Sequence, residues 1–217
     1  MKIKNTYLGA AVLMTCLTGA AFATPINSEA DPSLSGGTLV DFEAGPTGTW
    51  VTQSFSGLTV TAQNSTYAPQ AVFSVDGDFA GDYNTRGRYH ITNHGSEFQS
   101  LRFDFGGATS ALGFLFGASD SSWVLSAYNG GGLLESLAIA AVGASNVGDF
   151  FGLASLAGAT YATLVQNQDG AYSGGGVDYV FVDNFRFVAG NNVPEPASLA
   201  LLGIGLAGLG AMRRRKA

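Results

Sequence analysis

The chain has 217 residues, of which 46% are hydrophobic and 12% are charged, so it is long enough for one ordinary domain and apolar enough to form a core. Its formal net charge of −6 excludes nucleic acid as the expected partner, because binding to phosphates requires clustered lysine and arginine.

The charge is unevenly distributed along the chain. Residues 24–192 contain four arginines, no lysine and fifteen carboxylates, which gives this span a net charge of −11. The other six basic residues lie near the two chain ends. An acidic body bracketed by basic ends indicates that the ends are targeting segments.

The N-terminus has the pattern of a secretory signal peptide. Two lysines precede an apolar stretch over residues 7–17, and Ala21 and Ala23 form a small-x-small cleavage site. We expect residues 1–23 to be removed, so that the mature chain begins at Thr24. The alternative is an uncleaved N-terminal anchor, although the apolar stretch is short for a membrane span.

Cys16 is the only cysteine and lies inside the apolar stretch. A lipoprotein signal is an alternative, but it would need small residues next to this cysteine. Cleavage after Ala23 leaves no thiol in the mature chain, which excludes disulfides and thiolate chemistry. Stability must then come from packing, or from packing with a metal.

The body has the pattern of an all-β domain over residues 38–190, preceded by a linker over residues 24–37 that is rich in Ser, Pro, Gly and Asp. Short apolar runs alternate with turn residues at roughly 8–12-residue spacing, which predicts an antiparallel two-sheet sandwich of the jelly-roll type. A short helix around 133–141 is an alternative for one strand. The predicted strands are 38–43, 49–55, 57–63, 70–75, 88–92, 99–105, 110–117, 122–128, 132–140, 149–156, 160–167 and 179–188.

Several predicted strands alternate apolar and polar residues, so that one face of each strand is expected to be buried. The residues predicted to be buried are Leu101, Phe103, Phe105, Leu112, Phe114, Phe116, Phe181, Phe185 and Phe187.

Acidic residues on the first and last strands predict a cation site in this thiol-free body. Asp183 is in phase with a row of aromatic residues, where a bare carboxylate would cost several kcal/mol unless it is paired or coordinated. This early Asp41-Phe42-Glu43 and the late Val182-Asp183-Asn184-Phe185 resemble jelly-roll carbohydrate-binding modules. The resemblance implies that Glu43 and Asp183, with Asp41, hold one structural Ca²⁺.

Two alternatives to this calcium site stay open. The same acids can cap strand ends or meet Arg102 or Arg186. A second acidic group, Asp76 and Asp78 with Asp82, begins like a calcium loop but lacks the later glutamate, so a solvated acidic turn is its alternative.

Catalytic signatures are missing from the sequence. His90 and His94 are the only histidines, and Ile91 stands where a metallopeptidase helix needs glutamate. The two histidines would share a face of a strand, which leaves a two-histidine metal site as an alternative to an ordinary strand end. No G-x-S-x-G elbow is present. We therefore expect a protein that is not an enzyme.

Aromatic side chains on the surface would provide a platform for sugars, because rings stack on the C–H faces of sugars. Trp123 is expected in the core and Tyr83 at the surface. The rings considered are Trp50, Trp123, Tyr67, Tyr83, Tyr89, Tyr128 and Tyr172.

The C-terminus has three consecutive parts. A linker over residues 191–196 ends in Pro194, Glu195 and Pro196. An uncharged segment over 197–212 follows, and a basic tail closes the chain over 213–217. This order predicts a membrane helix with a cytoplasmic positive cluster. The basic residues of the tail are Arg213, Arg214, Arg215 and Lys216.

This ending resembles the PEP-CTERM sorting signal of Gram-negative bacteria. The resemblance implies export, anchoring in the inner membrane through the C-terminal helix, and processing by an exosortase. It also implies a later place in the cell envelope or extracellular matrix, including biofilm. The alternative is a plain single-span anchor.

The leading hypothesis is therefore an exported β-sandwich protein with a structural or adhesive role. The alternative is a carbohydrate-binding module that acts on matrix polysaccharide, with exopolysaccharide as its partner. A secreted hydrolase is a third reading, since a pair of carboxylates 5–10 Å apart cannot be recognised from sequence.

Overall fold

The computed structural model describes residues 23–63, 72–93, 100–130, 132–142, 149–167 and 179–190. Regular structure in this part consists of thirteen strands and one 3-10 turn, Pro32–Leu34. All strand pairs are antiparallel, which confirms the predicted all-β class. The strands are β1 Thr24–Ile26, β2 Thr38–Val40, β3 Gly48–Trp50, β4 Thr52–Phe55, β5 Leu58–Gln63, β6 Phe73–Asp76, β7 His90–Thr92, β8 Ser100–Gly117, β9 Trp123–Asn129, β10 Gly132–Ile139, β11 Phe150–Ala154, β12 Ala159–Gln166 and β13 Phe181–Ala189.

The long strand β8 belongs to two layers. Its first part pairs with β5 and β12, and its second part pairs with β11 and β13. Layer 1 has the order β10-β9-β12-β8-β5-β4. Layer 2 begins with the order β1-β11-β8-β13. On its other side, β13 pairs with β2 over one part of its length and with β7 over another, and β7 is followed by β6 and β3.

Sequence patterns predicted two strands, 99–105 and 110–117, where the structure has the single strand β8. The pairing with β12 shifts register between Ala159 and Tyr161, so β8 residues 105–108 form a bulge where the strand changes layer. Gly106 and Gly107 lie in this bulge, and the absence of β carbons makes a bend there easy.

Aromatic rings fill the space between the layers. Phe103 of layer 1 lies 4.8 Å from Phe185 and 6.1 Å from Phe114, both in layer 2, measured between ring centroids. Phe116 likewise contacts Trp123 across the layers at 6.2 Å. The nine residues predicted to be buried are all buried, and the most exposed of them has only 9% of its surface accessible.

Three segments differ from expectation. The expected linker 24–37 contains β1 and the 3-10 turn, with Ile26 and Leu34 buried against layer 2. The predicted strand 49–55 is divided into β3 and β4, which pair in different layers. The alternative helix around 133–141 is wrong, because this segment forms β10 and pairs with β9.

No helix within the described residues is long and apolar enough to cross a membrane. The predicted membrane helix at 197–212 lies outside the described residues, as do the signal peptide up to residue 22 and the basic tail.

Candidate functional site

Asp183 lies in β13 and is buried, with 1% of its surface exposed. Its Oδ2 accepts a hydrogen bond of 2.6 Å from the backbone N–H of Arg86, and its Oδ1 accepts one of 2.6 Å from the backbone N–H of Asn184. The carboxyl group therefore anchors the start of the 86–89 segment to the last strand.

Glu43 holds the same 86–89 segment from the other side. Its Oε1 accepts hydrogen bonds from the backbone N–H groups of Arg88, at 2.6 Å, and Tyr89, at 2.9 Å. Asp41 Oδ1 in turn accepts a hydrogen bond of 3.2 Å from the backbone N–H of Glu43. The structure thus brings Asp183 and Glu43 to one segment, with Asp41 bonded to the backbone of Glu43, close to where β2 pairs with β13.

Burial raises the pKa of Asp183 from its ordinary 3.8 to about 7. The two backbone N–H groups oppose this rise, and the negative charges of Glu43 and Asp41 add to it.

Backbone N–H groups use part of the acceptor capacity of these carboxylates. The three carboxylates already accept backbone N–H groups, and the described part of the chain contains no group of three acidic, histidine or cysteine side chains placed to hold a metal. Calcium binding at Glu43, Asp41 and Asp183 stays a prediction.

His90 is fully buried, and burial lowers its pKa from the ordinary 6.5. Its ring packs against Phe181 with centroids 4.6 Å apart, and its Nε2 lies 3.9 Å from Asp76 Oδ1. A two-histidine site stays untested because His94 lies outside the described residues. His90 thus lies in the core as an aromatic side chain packed on Phe181.

The second acidic group lies at the end of β6 and in the loop that follows it. Asp76 Oδ1 accepts a hydrogen bond of 3.2 Å from the backbone N–H of Asp78, and the backbone carbonyl of Asp82 accepts one of 2.7 Å from the Thr85 hydroxyl. These contacts organise a turn, which favours the acidic-turn alternative.

The predicted aromatic residues have different positions. Trp123 is in the core with no exposed surface, as expected. Tyr83 is half-buried, because it packs against Phe79 and Phe181 with centroids 5.5 and 5.6 Å apart. Tyr67 and Tyr172 lie outside the described residues.

A row of ring and charged side chains crosses the outer side of layer 1. Tyr128 on β9 pairs with Tyr161 on β12, which in turn pairs with Asp104 on β8. Paired residues in antiparallel strands lie on the same face. The two tyrosine rings stack with centroids 4.8 Å apart and an interplanar angle of 8°.

Arg102 fixes this stack from the side opposite Tyr128. Its guanidinium carbon lies 3.8 Å from the centroid of the Tyr161 ring. Its Nε donates to both carboxylate oxygens of Asp104, at 3.0 and 2.9 Å. These bonds raise the pKa of Arg102, so the group stays charged and its charge is paired.

Hydroxyl side chains surround the row. Three cross-strand pairs bond to each other: Ser54 with Thr59 at 2.9 Å, Thr52 with Thr61 at 3.1 Å, and Ser126 with Ser136 at 3.0 Å. Register places all of these residues on the outer side of layer 1, together with Leu133 and Thr163. We use the name tyrosine face for Tyr128, Tyr161, Arg102, Asp104, Leu133, Thr163 and these six hydroxyl residues.

The row ends at a cavity of about 260 Å³ beside the turn between β4 and β5. Ser54, Thr59 and Asp104 contribute polar groups to its lining, and Phe105 contributes an apolar wall. The tyrosine face therefore combines rings, hydroxyl groups and a largely apolar recess on one surface.

Tyr128 was among the candidate rings predicted from the sequence, whereas Tyr161 was missed. In the sequence, Arg102 and Asp104 alternate with apolar residues, and this pattern predicted that the two charged side chains lie on the outer face of the strand. Strand register decides which residues share a row, and no local pattern in the sequence specified that β12 lies between β8 and β9.

Comparison with solved structures finds several carbohydrate-binding modules, the class that the strand motifs resemble. TmCBM61 in complex with β-1,4-galactotriose is 15% identical, with a TM-score of 0.34 over 63% of this chain and 90% of that chain. CpGH89CBM32-6 produced by Clostridium perfringens is 13% identical, with a TM-score of 0.30 over 63% of this chain and 96% of that chain. A mutant of the family 29 module CBM29-2 is 10% identical, with a TM-score of 0.28 over 69% of this chain and 88% of that chain.

No curated protein sequence matches the chain. Residues 192–216 match the PEP-CTERM protein-sorting motif, which confirms the resemblance of the C-terminus and implies that the chain is an exported exosortase substrate.

Proposed function

We propose that this chain is an adhesive protein of the cell envelope or extracellular matrix that binds polysaccharide through the tyrosine face. The PEP-CTERM motif supports export and sorting. The observation that carries the binding role is the stack of Tyr128, Tyr161 and Arg102 on an outer sheet surface. The finer expectations, a jelly-roll winding, a membrane helix at 197–212 and a place in biofilm, belong to this proposal.

The tyrosine face suits a hydroxyl-rich polymer for two physical reasons. Ring edges and the exposed Leu133, which is 58% accessible, offer apolar surface to the C–H groups of sugars. Ser126 and Thr163 are buried, but the other serine and threonine hydroxyls of the face reach the surface, where they both donate and accept hydrogen bonds, as sugar hydroxyls do. Because Arg102 and Asp104 already fix Tyr161, little side-chain entropy is lost on binding.

We propose binding without catalysis. Hydrolysis of a glycoside requires two carboxyl groups across the scissile bond. Asp104 is the one carboxylate among the residues that define the tyrosine face, and it is hydrogen-bonded to Arg102.

Alanine substitution of the rings tests the proposal. We expect Tyr128→Ala and Tyr161→Ala each to weaken polysaccharide binding up to about tenfold, because an aromatic contact contributes about 0.5–1.5 kcal/mol. The exported protein would be run through native gels that contain a panel of polysaccharides, with retardation as the measure of affinity.

Tyr179→Ala is the matched control. Tyr179 is 49% exposed but precedes β13 in layer 2, away from the tyrosine face. Binding that is equally sensitive to Tyr179→Ala, or no retardation by any polymer in the panel, would contradict the proposal.

A further inference from the structure

The tyrosine face is nearly uncharged, although the chain around it is strongly acidic. Residues 24–192 carry a net charge of −11. Among the twelve residues that define the face, only Arg102 and Asp104 are ionisable near neutral pH, and they neutralise each other. The other ten side chains are hydroxyl-bearing, apart from the aliphatic Leu133.

The one cation of this face is already engaged. Arg102 donates from Nε and Nη2 to the two oxygens of Asp104, and its guanidinium carbon lies over the Tyr161 ring. A carboxylate or sulfate on an incoming polymer would have to displace Asp104, whose bidentate geometry is the favoured one for arginine. The face therefore offers an anion no unpaired positive partner.

The rest of the chain also opposes a polyanion. Charges beyond the contact surface add to a long-range potential, which is negative around a body with net charge −11. This potential acts over about 8–10 Å at physiological salt. A neutral polymer is not repelled by this potential and does not compete with Asp104 for Arg102.

We infer that the tyrosine face selects uncharged polysaccharides over polyanionic ones, with the Arg102–Asp104 pair as the determinant of this selectivity. The inference rests on the proposed function, since it names the class of polymer that the same face binds. In this arrangement Arg102 is a positioning residue for Tyr161, and Asp104 keeps its charge from recruiting acidic polymers.

A pair of polymers with one backbone tests the inference. A neutral polysaccharide that retards the exported protein is compared with a carboxymethylated derivative of the same polymer, at about 20 mM and about 500 mM salt. We expect the neutral form to bind at least about fivefold more tightly at low salt, because one unpaired like-charge contact costs about 1 kcal/mol in water. High salt should narrow the difference.

Asp104→Asn locates the selectivity. Loss of this carboxylate frees the charge of Arg102, so affinity for the carboxymethylated polymer should rise by about fivefold or more relative to the neutral form. Asp82→Asn is the control, because it removes one negative charge from an exposed position in the loop between β6 and β7. This control should leave the ratio of the two affinities nearly unchanged.

The possible outcomes distinguish a failure of the proposed function from a failure of the inference about charge. If no polymer binds, the proposed function fails. If the carboxymethylated or a natural acidic polymer binds the unsubstituted protein as tightly as its neutral counterpart, the proposed function stands and the inference is overturned. If Asp104→Asn and Asp82→Asn change the ratio of the two affinities equally, the selectivity depends on net charge. This result would overturn the role of the Arg102–Asp104 pair.

Discussion

Phe103 packs between the two layers, where its ring contacts Phe114 and Phe185 and has no exposed surface. Phe103→Ala should lower the free energy of unfolding by about 3–5 kcal/mol. The substitution leaves a cavity between the two layers, and the layers cannot move together far enough to fill it. Denaturant unfolding of the exported protein measures this loss.

Phe79→Ala is the control for this substitution. Phe79 is 55% exposed, so the same deletion there should cost about 1 kcal/mol or less. Similar losses at Phe79 and Phe103 would show that the rings between the layers are not the centre of the core.

Asp183 predicts a particular dependence of stability on pH. Its pKa is about 7 in the folded chain against an ordinary 3.8, so between these values the folded state holds a proton that the unfolded state has lost. Its contribution to stability is therefore fully present at low pH and is lost as pH rises through about 7. Asp183→Asn should remove this slope.

His90 contributes the opposite slope, because its pKa is lowered and protonation below its ordinary 6.5 favours the unfolded chain. The measurement is therefore the difference in melting temperature between the unsubstituted protein and Asp183→Asn at a series of pH values. The side-chain amide of the asparagine places an N–H against a backbone N–H. This contact lowers the melting temperature of the variant by a similar amount at every pH, so it does not change the dependence on pH. A difference that is constant from pH 4 to 8 would contradict a raised pKa.

The calcium prediction has its own test at the residue scale. If Ca²⁺ binds Glu43, Asp41 and Asp183 in the folded state alone, stability should rise by about 2.7 kcal/mol at a hundred times the dissociation constant. A chelator should lower the melting temperature, and Asp183→Asn should abolish this sensitivity. A melting temperature that responds to neither chelator nor added calcium would show that the carboxylates serve only the 86–89 backbone.

At the scale of single elements, the end of β8 fits closely under the loop between β6 and β7. A β carbon at Gly117 would overlap the backbone carbonyl oxygen of Tyr83. Gly117→Ala should therefore destabilise the fold by about 1–3 kcal/mol, because the loop must shift to accommodate the methyl group. Thermal unfolding measures the change.

Gly107→Ala is the matched control in the same strand, since a β carbon there would have no heavy atom of the described chain within 4 Å. The control should change stability by only a few tenths of a kcal/mol. If Gly107→Ala is as harmful as Gly117→Ala, the loss reflects strand flexibility rather than the contact with the loop.

The strands were largely predictable because each buries one face and so alternates in sequence, as Leu101, Phe103 and Phe105 do. The strand β1 was missed, because three residues among turn-forming neighbours carry too short a pattern. The tyrosine face was missed for a different reason: Tyr128 and Tyr161 meet through strand order and register, which depend on contacts between residues distant in sequence. The hydrogen bonds of Asp183 and Glu43 to residues 86–89 were only partly predictable, because the two acids were recognised as site residues but their backbone partners were not.

At the scale of the whole molecule, processing at both ends should leave the body intact. β1 begins at Thr24, the predicted first residue of the mature chain, and this residue pairs with Ala154. We expect mass spectrometry of the exported protein to find Thr24 at the N-terminus and a C-terminus near Pro194. Alanine replacement of Pro194, Glu195 and Pro196 together should retain the 197–217 segment on the membrane.

This outcome follows because the sorting motif at 192–216 implies recognition by an exosortase. A matured extracellular form that still carries residues 197–217 would contradict processing at this site.

Radical footprinting of the tyrosine side chains tests the central claim most directly. The exported protein would be oxidised briefly by hydroxyl radicals with and without the neutral polysaccharide that it binds, and oxidation would be quantified for each tyrosine by mass spectrometry. We expect the polymer to protect Tyr128 and Tyr161 from oxidation and to leave the oxidation of Tyr179 unchanged. Protection of Tyr179, with Tyr128 and Tyr161 oxidised as in the free protein, would place the polymer elsewhere and contradict the account.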